Sequence, residues 1–143
     1  MKLFTAMLPA LLLFAAVASP VQAEQKKQLG AWDVHYIAMP STLIEPAIAG
    51  NYKIERSKFN GLVNISVLNS SDQKAQQVTL SGSAKNLLGQ QKTLNFTQVT
   101  EGDAIYYLAQ LPYRNEERLS FVIDIRQGNQ NQQLKFEHTF YVE

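Results

Sequence analysis

From residue 61 onward the chain alternates apolar and polar positions in short runs, separated by turn residues at intervals of about ten residues. "GLVNISVLN" (61–69) places Val63, Ile65 and Val67 on one face and Asn64 and Ser66 on the other, and "NSSD" (69–72) supplies a turn. "QVTLSGSAKN" keeps Val78, Leu80, Gly82 and Ala84 in phase, with Gly89 marking the next turn. "QKTLNFTQVT" turns Leu94 and Phe96 inward and closes at Glu101-Gly102-Asp103. "AIYYLAQL" offers Ile105, Tyr107, Ala109 and Leu111, and Pro112 ends that strand because it cannot donate to a ladder. The two clearest runs come last. Leu119, Phe121, Ile123 and Ile125 share one face, and Leu134, Phe136, His138, Phe140 and Val142 share another. "GNQN" between them predicts a hairpin with a four-residue loop, Gly128 to Asn131, which would set Asp124 opposite Lys135. An even loop count keeps both apolar rows on one side. The pattern as a whole predicts an all-β, antiparallel β-sandwich of about seven strands.

Residues 40–60 break the alternation. Thr42 and Glu45 have capping-box spacing, but Pro46 disfavours helical geometry at Glu45 and is itself suited to a first helical position. A short helix from Pro46 to about Gly50 is therefore expected, inserted after the first strand. In the 104–111 run, Tyr106 and Leu108 must point away from the core if their neighbours point in. The helical insertion, through Leu43, Ile44 and Ile48, is the expected cover for them.

Composition adds an address. Residues 1–23 carry one charge, Lys2, then an apolar run from Leu3 to Val17 and a small-residue stop at Val21-Gln22-Ala23. This is the pattern of a cleaved secretory signal peptide, with the mature chain at 24–143 forming one β-sandwich domain in the periplasm. The apolar run is too short to span a bilayer of about 30 Å comfortably, and the mature part has no second one. No cysteine occurs, so the fold must hold by packing without disulfides. Once Lys2 is set aside, 12 of the 13 basic residues remain against 12 acidic ones. A neutral chain without a basic run lacks the footprint of a nucleic-acid binder or of an anionic-membrane binder.

Candidate chemistry is sparse. "WDVHYIAMP" (32–40) gathers Trp32, His35 and Met39, a combination that raises the question of a copper or heme site. Read as a strand, it puts Trp32, Val34 and Tyr36 on one face and Asp33, His35, Ile37 and Met39 on the other. His35 and Met39 then lie about 13 Å apart, too far for metal bonds of about 2 Å to bridge. The stretch is accordingly expected to be an edge or first strand with Asp33 and His35 facing solvent. His138, inside an apolar row, is read as a histidine at the margin of the core, hydrogen-bonded to backbone. No nucleophile elbow or zinc-helix motif encloses the serines, aspartates and histidines, and the "RNEER" run (114–118) reads as a solvated loop. No catalytic, cofactor-binding or metal residue is assigned, and an enzyme is not expected.

The runs "GAWDVHYIAMPSTLI", "RSKFNGLVNISVL", "SGSAKNLLGQ", "EGDAIYYLAQLPYRNEE" and "FVIDIRQGN" resemble those of a family of small exported Gram-negative bacterial proteins, domain of unknown function 4426. The resemblance spans nearly the whole mature chain. It implies a periplasmic, immunoglobulin-like β-sandwich and supplies no catalytic or metal residue. The expected function is a non-enzymatic binding or protein-interaction module whose partner is another periplasmic or envelope protein, with no nucleic acid and no membrane span. The alternative is copper or zinc handling through His35, Met39 and His138.

Overall fold

The computed structural model describes residues 24–142, and the expected cleavage after Ala23 lies outside them. The chain runs β1 (Gln25–Leu29), β2 (Trp32–Pro40), a 3-10 turn at Ser41–Leu43, α1 (Pro46–Asn51), β3 (Asn60–Asn69), β4 (Thr79–Asn86), β5 (Gln91–Leu94), β6 (Thr97–Glu101), β7 (Ala104–Pro112), β8 (Glu117–Gln127) and β9 (Gln130–Phe140). A five-stranded sheet, β1-β2-β3-β7-β6, faces a four-stranded one, β5-β4-β8-β9. All pairings are antiparallel.

The expected antiparallel sandwich is present, with nine strands among the described residues where about seven were predicted. Two causes account for the difference. "QKKQL" forms β1, an edge strand with no apolar alternation to betray it; its pairing comes from the tight turn at Gly30 (φ 61°). The "QKTLNFTQVT" run is two strands. The chain leaves the four-stranded sheet after Leu94 and enters the other at Thr97, so Leu94 is buried while Phe96 is only partly so. Because β1 occupies the edge, β2 is an interior strand, bonded on both sides.

The inner faces follow the predicted phases. Val63, Ile65 and Val67 from β3 and Leu119, Phe121, Ile123 and Ile125 from β8 are essentially inaccessible to solvent. From β2 come Trp32, Val34 and Tyr36, and from β9 Leu134 and Phe140. Phe136 is partly buried, stacked on Phe121 at 4.6 Å and tilted against Tyr36 at 4.6 Å. Gly61 is needed where it stands: a Cβ there would come within 2.8 Å of the Phe140 ring, which stacks on Tyr113.

The final hairpin differs in its turn. Gln127 pairs with Gln130, leaving a two-residue loop, Gly128-Asn129, and Asp124 faces Gln133 while Lys135 faces Val122. Gly128 adopts φ 58°, the left-handed conformation that such tight turns demand. The count is still even, so both apolar rows stay inside.

Pro46 opens α1 as expected, with Glu45 at the cap making no side-chain bond and the helix ending at Asn51. "RNEER" is not simply a solvated loop. Glu117 begins β8, and its carboxylate receives Lys92 Nζ at 2.9 Å, Asn86 Nδ2 at 2.9 Å and the Arg114 N–H at 2.9 Å. Burial pushes this carboxyl up, but the donors from Asn86, Arg114 and Lys92 outweigh it, and its pKa lies below the ordinary value. No helix among the described residues is long and apolar enough to cross a membrane.

Candidate functional site: a groove on the outer face of the five-stranded sheet

Strand alternation leaves the five-stranded sheet with a second face. Register places Met39 beside Leu62, Ile37 beside Asn64 and His35 beside Ser66; Asn64 lies beside Leu108, and Tyr106 beside Val99. These side chains point away from the main core. Much of this face is apolar, and leaving it in water would forfeit about 25 cal/mol per Å² of the area that could be covered.

The segment from Ser41 to Phe59 provides a cover over part of it. Ala49 and Ile54 bury against Leu62, with Met39, Ile44, Tyr52 and Leu108 packed around them. The expected cover of Leu108 by this insertion is thus present, although Leu43 is 58% exposed and takes no part. Polar ties hold the segment down. The buried Ser41 Oγ donates to the Ser57 carbonyl (3.1 Å) and accepts from the Ser57 N–H (3.0 Å). Arg56 donates to the carbonyls of Ile44 (2.7 Å) and Thr42 (3.0 Å). Gln110 of β7 accepts from the Glu55 N–H and Asn60 Nδ2, both at 2.9 Å, and donates to the Lys53 carbonyl at 3.2 Å.

The cover is incomplete, and what it leaves open is a groove. A cleft of about 260 Å³ lies between the helix and β6–β7, walled by Met39, Ile48, Ile54, Val99, Tyr106 and Leu108. A second depression of about 430 Å³ continues it between residues 51–54 and 97–100. Tyr52 stands between the two, its hydroxyl donating to Glu101 Oε2 at 2.6 Å. That hydrogen bond to a carboxylate raises the tyrosine pKa. On the floor, Asn64 Oδ1 is buried with no hydrogen-bond partner among the described residues. An unmatched acceptor in an apolar cleft is a place where a ligand's N–H or O–H would recover the desolvation cost.

The other end of the face holds Asp33 and His35. Asp33 does not face solvent as expected; it is 9% exposed and accepts from Gln73 Nε2 (2.9 Å) and Ser70 Oγ (2.8 Å). Those two bonds hold its pKa below the ordinary value and pin the β3–β4 connection onto the sheet. His35 is half-buried, with Nδ1 3.4 Å from Glu24 Oε1 and Nε2 buried without a hydrogen-bond partner among the described residues. His138 lies on the inner side of β9, edge-on to Phe140 at 4.5 Å, and burial lowers its pKa. His35 and Met39 therefore share an outer face, while His138 belongs to the opposite sheet and points inward: the three are not brought together. Among the described residues no three His, Cys, Asp or Glu side chains lie close enough to hold a metal ion. Sequence reading anticipated Tyr106 and Leu108 through their phase. It missed Tyr52, Glu101 and Asn64, whose meeting depends on the path of the insertion.

Fold and groove together define a β-sandwich domain with a partly roofed apolar face. The chain belongs to the family described as domain of unknown function DUF4426, whose model matches residues 26–143. It is similar to a DUF4426 family protein from Pseudomonas aeruginosa PAO1, at 32% identity over 84% of this chain and 96% of that one, with a TM-score of 0.74. In fold alone it is similar to FetP from uropathogenic Escherichia coli strain F11, as isolated after expression in the periplasm, at 10% identity and a TM-score of 0.58. That likeness covers 85% of this chain and 95% of that one. A copper-bound FetP variant compares similarly, at 11% identity and a TM-score of 0.58 over 85% of this chain and 97% of that one. A comparison with curated proteins returned no significant match.

Proposed function

We propose that this protein is a non-enzymatic binding module of the periplasm, and that its partner, another periplasmic or envelope protein, seats an apolar segment in the groove beside Tyr52. The observation that carries this reading is the groove itself, an apolar cleft on an outer sheet face with an unmatched acceptor, Asn64 Oδ1, on its floor. Ile48, 44% exposed at the mouth, tests it without touching the core. Crosslinking in native periplasm should capture a partner with the wild-type chain and lose it with Ile48→Glu at unchanged melting temperature. Equal capture by both would overturn the reading. The address is tested separately: N-terminal sequencing of the exported protein should begin at Glu24, and a chain retaining Met1 would sink it.

A second reading, copper or zinc handling, draws on the copper-bound state of a protein of similar fold and on the buried, unmatched Nε2 of His35, on the same face as Met39. Elemental analysis of natively purified protein decides it. Stoichiometric copper or zinc that disappears in His35→Ala would establish this reading over the first; metal-free protein would remove it.

A further inference from the structure

The two sheets end on four edge strands: β1 and β6 in one, β5 and β9 in the other. An edge strand offers unpaired N–H and C=O groups to any passing chain, and proteins blunt such edges with lysine, brevity or cover. Three of the four are blunted. β1 carries Lys26 and Lys27 within five residues, and Lys27 Nζ reaches across to the Lys135 carbonyl of β9, which has its own exposed lysine there. β5 has only four residues, and its Lys92 is anchored to the Pro112 carbonyl and to Glu117.

β6 carries no lysine and, at five residues, is one longer than β5. Residues 51–54 lie beside its groove face, where Tyr52 bonds Glu101, and its outer edge stays unpaired among the described residues. Its sequence, Thr97-Gln98-Val99-Thr100-Glu101, holds no lysine, proline or glycine, and its threonines and valine favour extended pairing. Four of its five residues are exposed, on both faces, so the facing sheet does not extend beneath it. Only Val99 is buried, on the groove side.

The two ends of β6 carry opposite charge. Thr97 pairs with Leu108, and Gln110, two residues further along β7, holds the Lys53 carbonyl; Lys53 therefore stands at the Thr97 end. Glu101 closes the other end, with Asp103 beyond it. None of these three makes an ion pair among the described residues. A base at one end and an acid at the other make the edge complementary to itself after a two-fold rotation.

We propose that β6 is a dimer interface, pairing antiparallel with β6 of a second copy about an axis through Val99. Thr97 then lies opposite the other copy's Glu101, and Gln98 opposite its Thr100. Each Lys53 approaches the carboxylate at the far end of the neighbouring strand, and no like charges face one another. The two five-stranded sheets become one continuous sheet. An axis perpendicular to that sheet keeps equivalent faces on the same side, so both grooves flank the axis. The inference stands apart from the groove's ligand, because it needs no partner but the chain itself.

Sedimentation velocity on the purified mature protein, from about 1 μM to about 500 μM, reads the equilibrium directly. A reversible dimer is expected. Lys53→Glu alone, or Glu101→Lys alone, should raise the dissociation constant at least about tenfold by setting like charges together, and the double exchange should restore it. Lys53 is exposed and held through its backbone carbonyl, so Lys53→Glu should lose the dimer at an unchanged melting temperature. Glu101→Lys also removes the acceptor of the Tyr52 hydroxyl, so a small fall in melting temperature should accompany its loss. A monomer throughout, a dimer indifferent to both single changes, or a double variant no tighter than the singles would each overturn the proposal. Capture of a groove partner by a monomer would leave the binding-module reading intact and remove this one alone.

Discussion

The two sheets are written in the same alternating pattern and yet acquire different outer faces. Outside the four-stranded sheet, Ser120, Asp124 and Arg126 of β8 sit beside Glu137, Gln133 and Asn131 of β9. Arg118 and Glu137 form an ion pair there, Ser120 Oγ donates to Glu137, and Gln133 Nε2 donates to Asp124. That face is finished by water. Outside the five-stranded sheet, the same alternation presents Met39, Leu62, Leu108 and Val99, and the chain must spend residues 41–59 covering them. A sheet apolar on one face is complete when its partner sheet arrives, whereas a sheet apolar on both faces needs a third layer. Here the third layer is short and leaves part of the face open, so the unfinished surface and the candidate binding site are one place.

Substitutions can break this contrast at graded cost. Phe121→Ala, in the shared core, should lower unfolding free energy by about 3–5 kcal/mol in denaturant titration. Leu62→Ala should cost about 2–4 kcal/mol although Leu62 points out of the sandwich, because it is only 2% exposed beneath Ala49 and Ile54. A loss no larger than that of a surface substitution would mean the insertion is not a true layer.

Glu117 sharpens the comparison at the end of β8, where the two sheets meet through Lys92 and Pro112. Glu117→Gln should cost about 1–3 kcal/mol at neutral pH by removing a charged acceptor from three donors. Its carboxyl pKa is lowered on folding, from an ordinary value of 4.5. The stabilisation is therefore fully present above that pH and fades as pH falls through the lower, folded value. Stability curves of wild type and Glu117→Gln should converge in acid; a gap that stays constant below pH 4.5 would rule the carboxylate out as its source. The smallest effect belongs to the wet face. Lys135→Ala should change stability by less than about 0.5 kcal/mol.

Much of the sandwich was readable because its strands carry one-sided alternation. Val63-Ile65-Val67 and Phe121-Ile123-Ile125 announce both period and phase, and Pro112 and Pro46 mark a strand end and a helix start through the covalent limits of the proline ring. β1 was not readable, because an edge strand of glutamines and lysines is made by its neighbour's hydrogen bonds and not by its own side chains. Nor was the break between Leu94 and Thr97, since a strand that changes sheets keeps its local pattern.

The sequence alone determined the strand faces, the all-β class and the outward aim of Tyr106 and Leu108, since all three follow from a side-chain period of two along each strand. It pointed to the insertion as their cover but not to the side chains that make it, Ala49 and Ile54 in place of the exposed Leu43 and Ile48, because those contacts are non-local. Only the tertiary structure decided that Ala49 and Ile54 meet Leu62, that Tyr52 reaches Glu101, that Asp33 is sealed by Ser70 and Gln73, and that His138 is carried away from His35. Alternation orients a side chain, and packing alone chooses its neighbour.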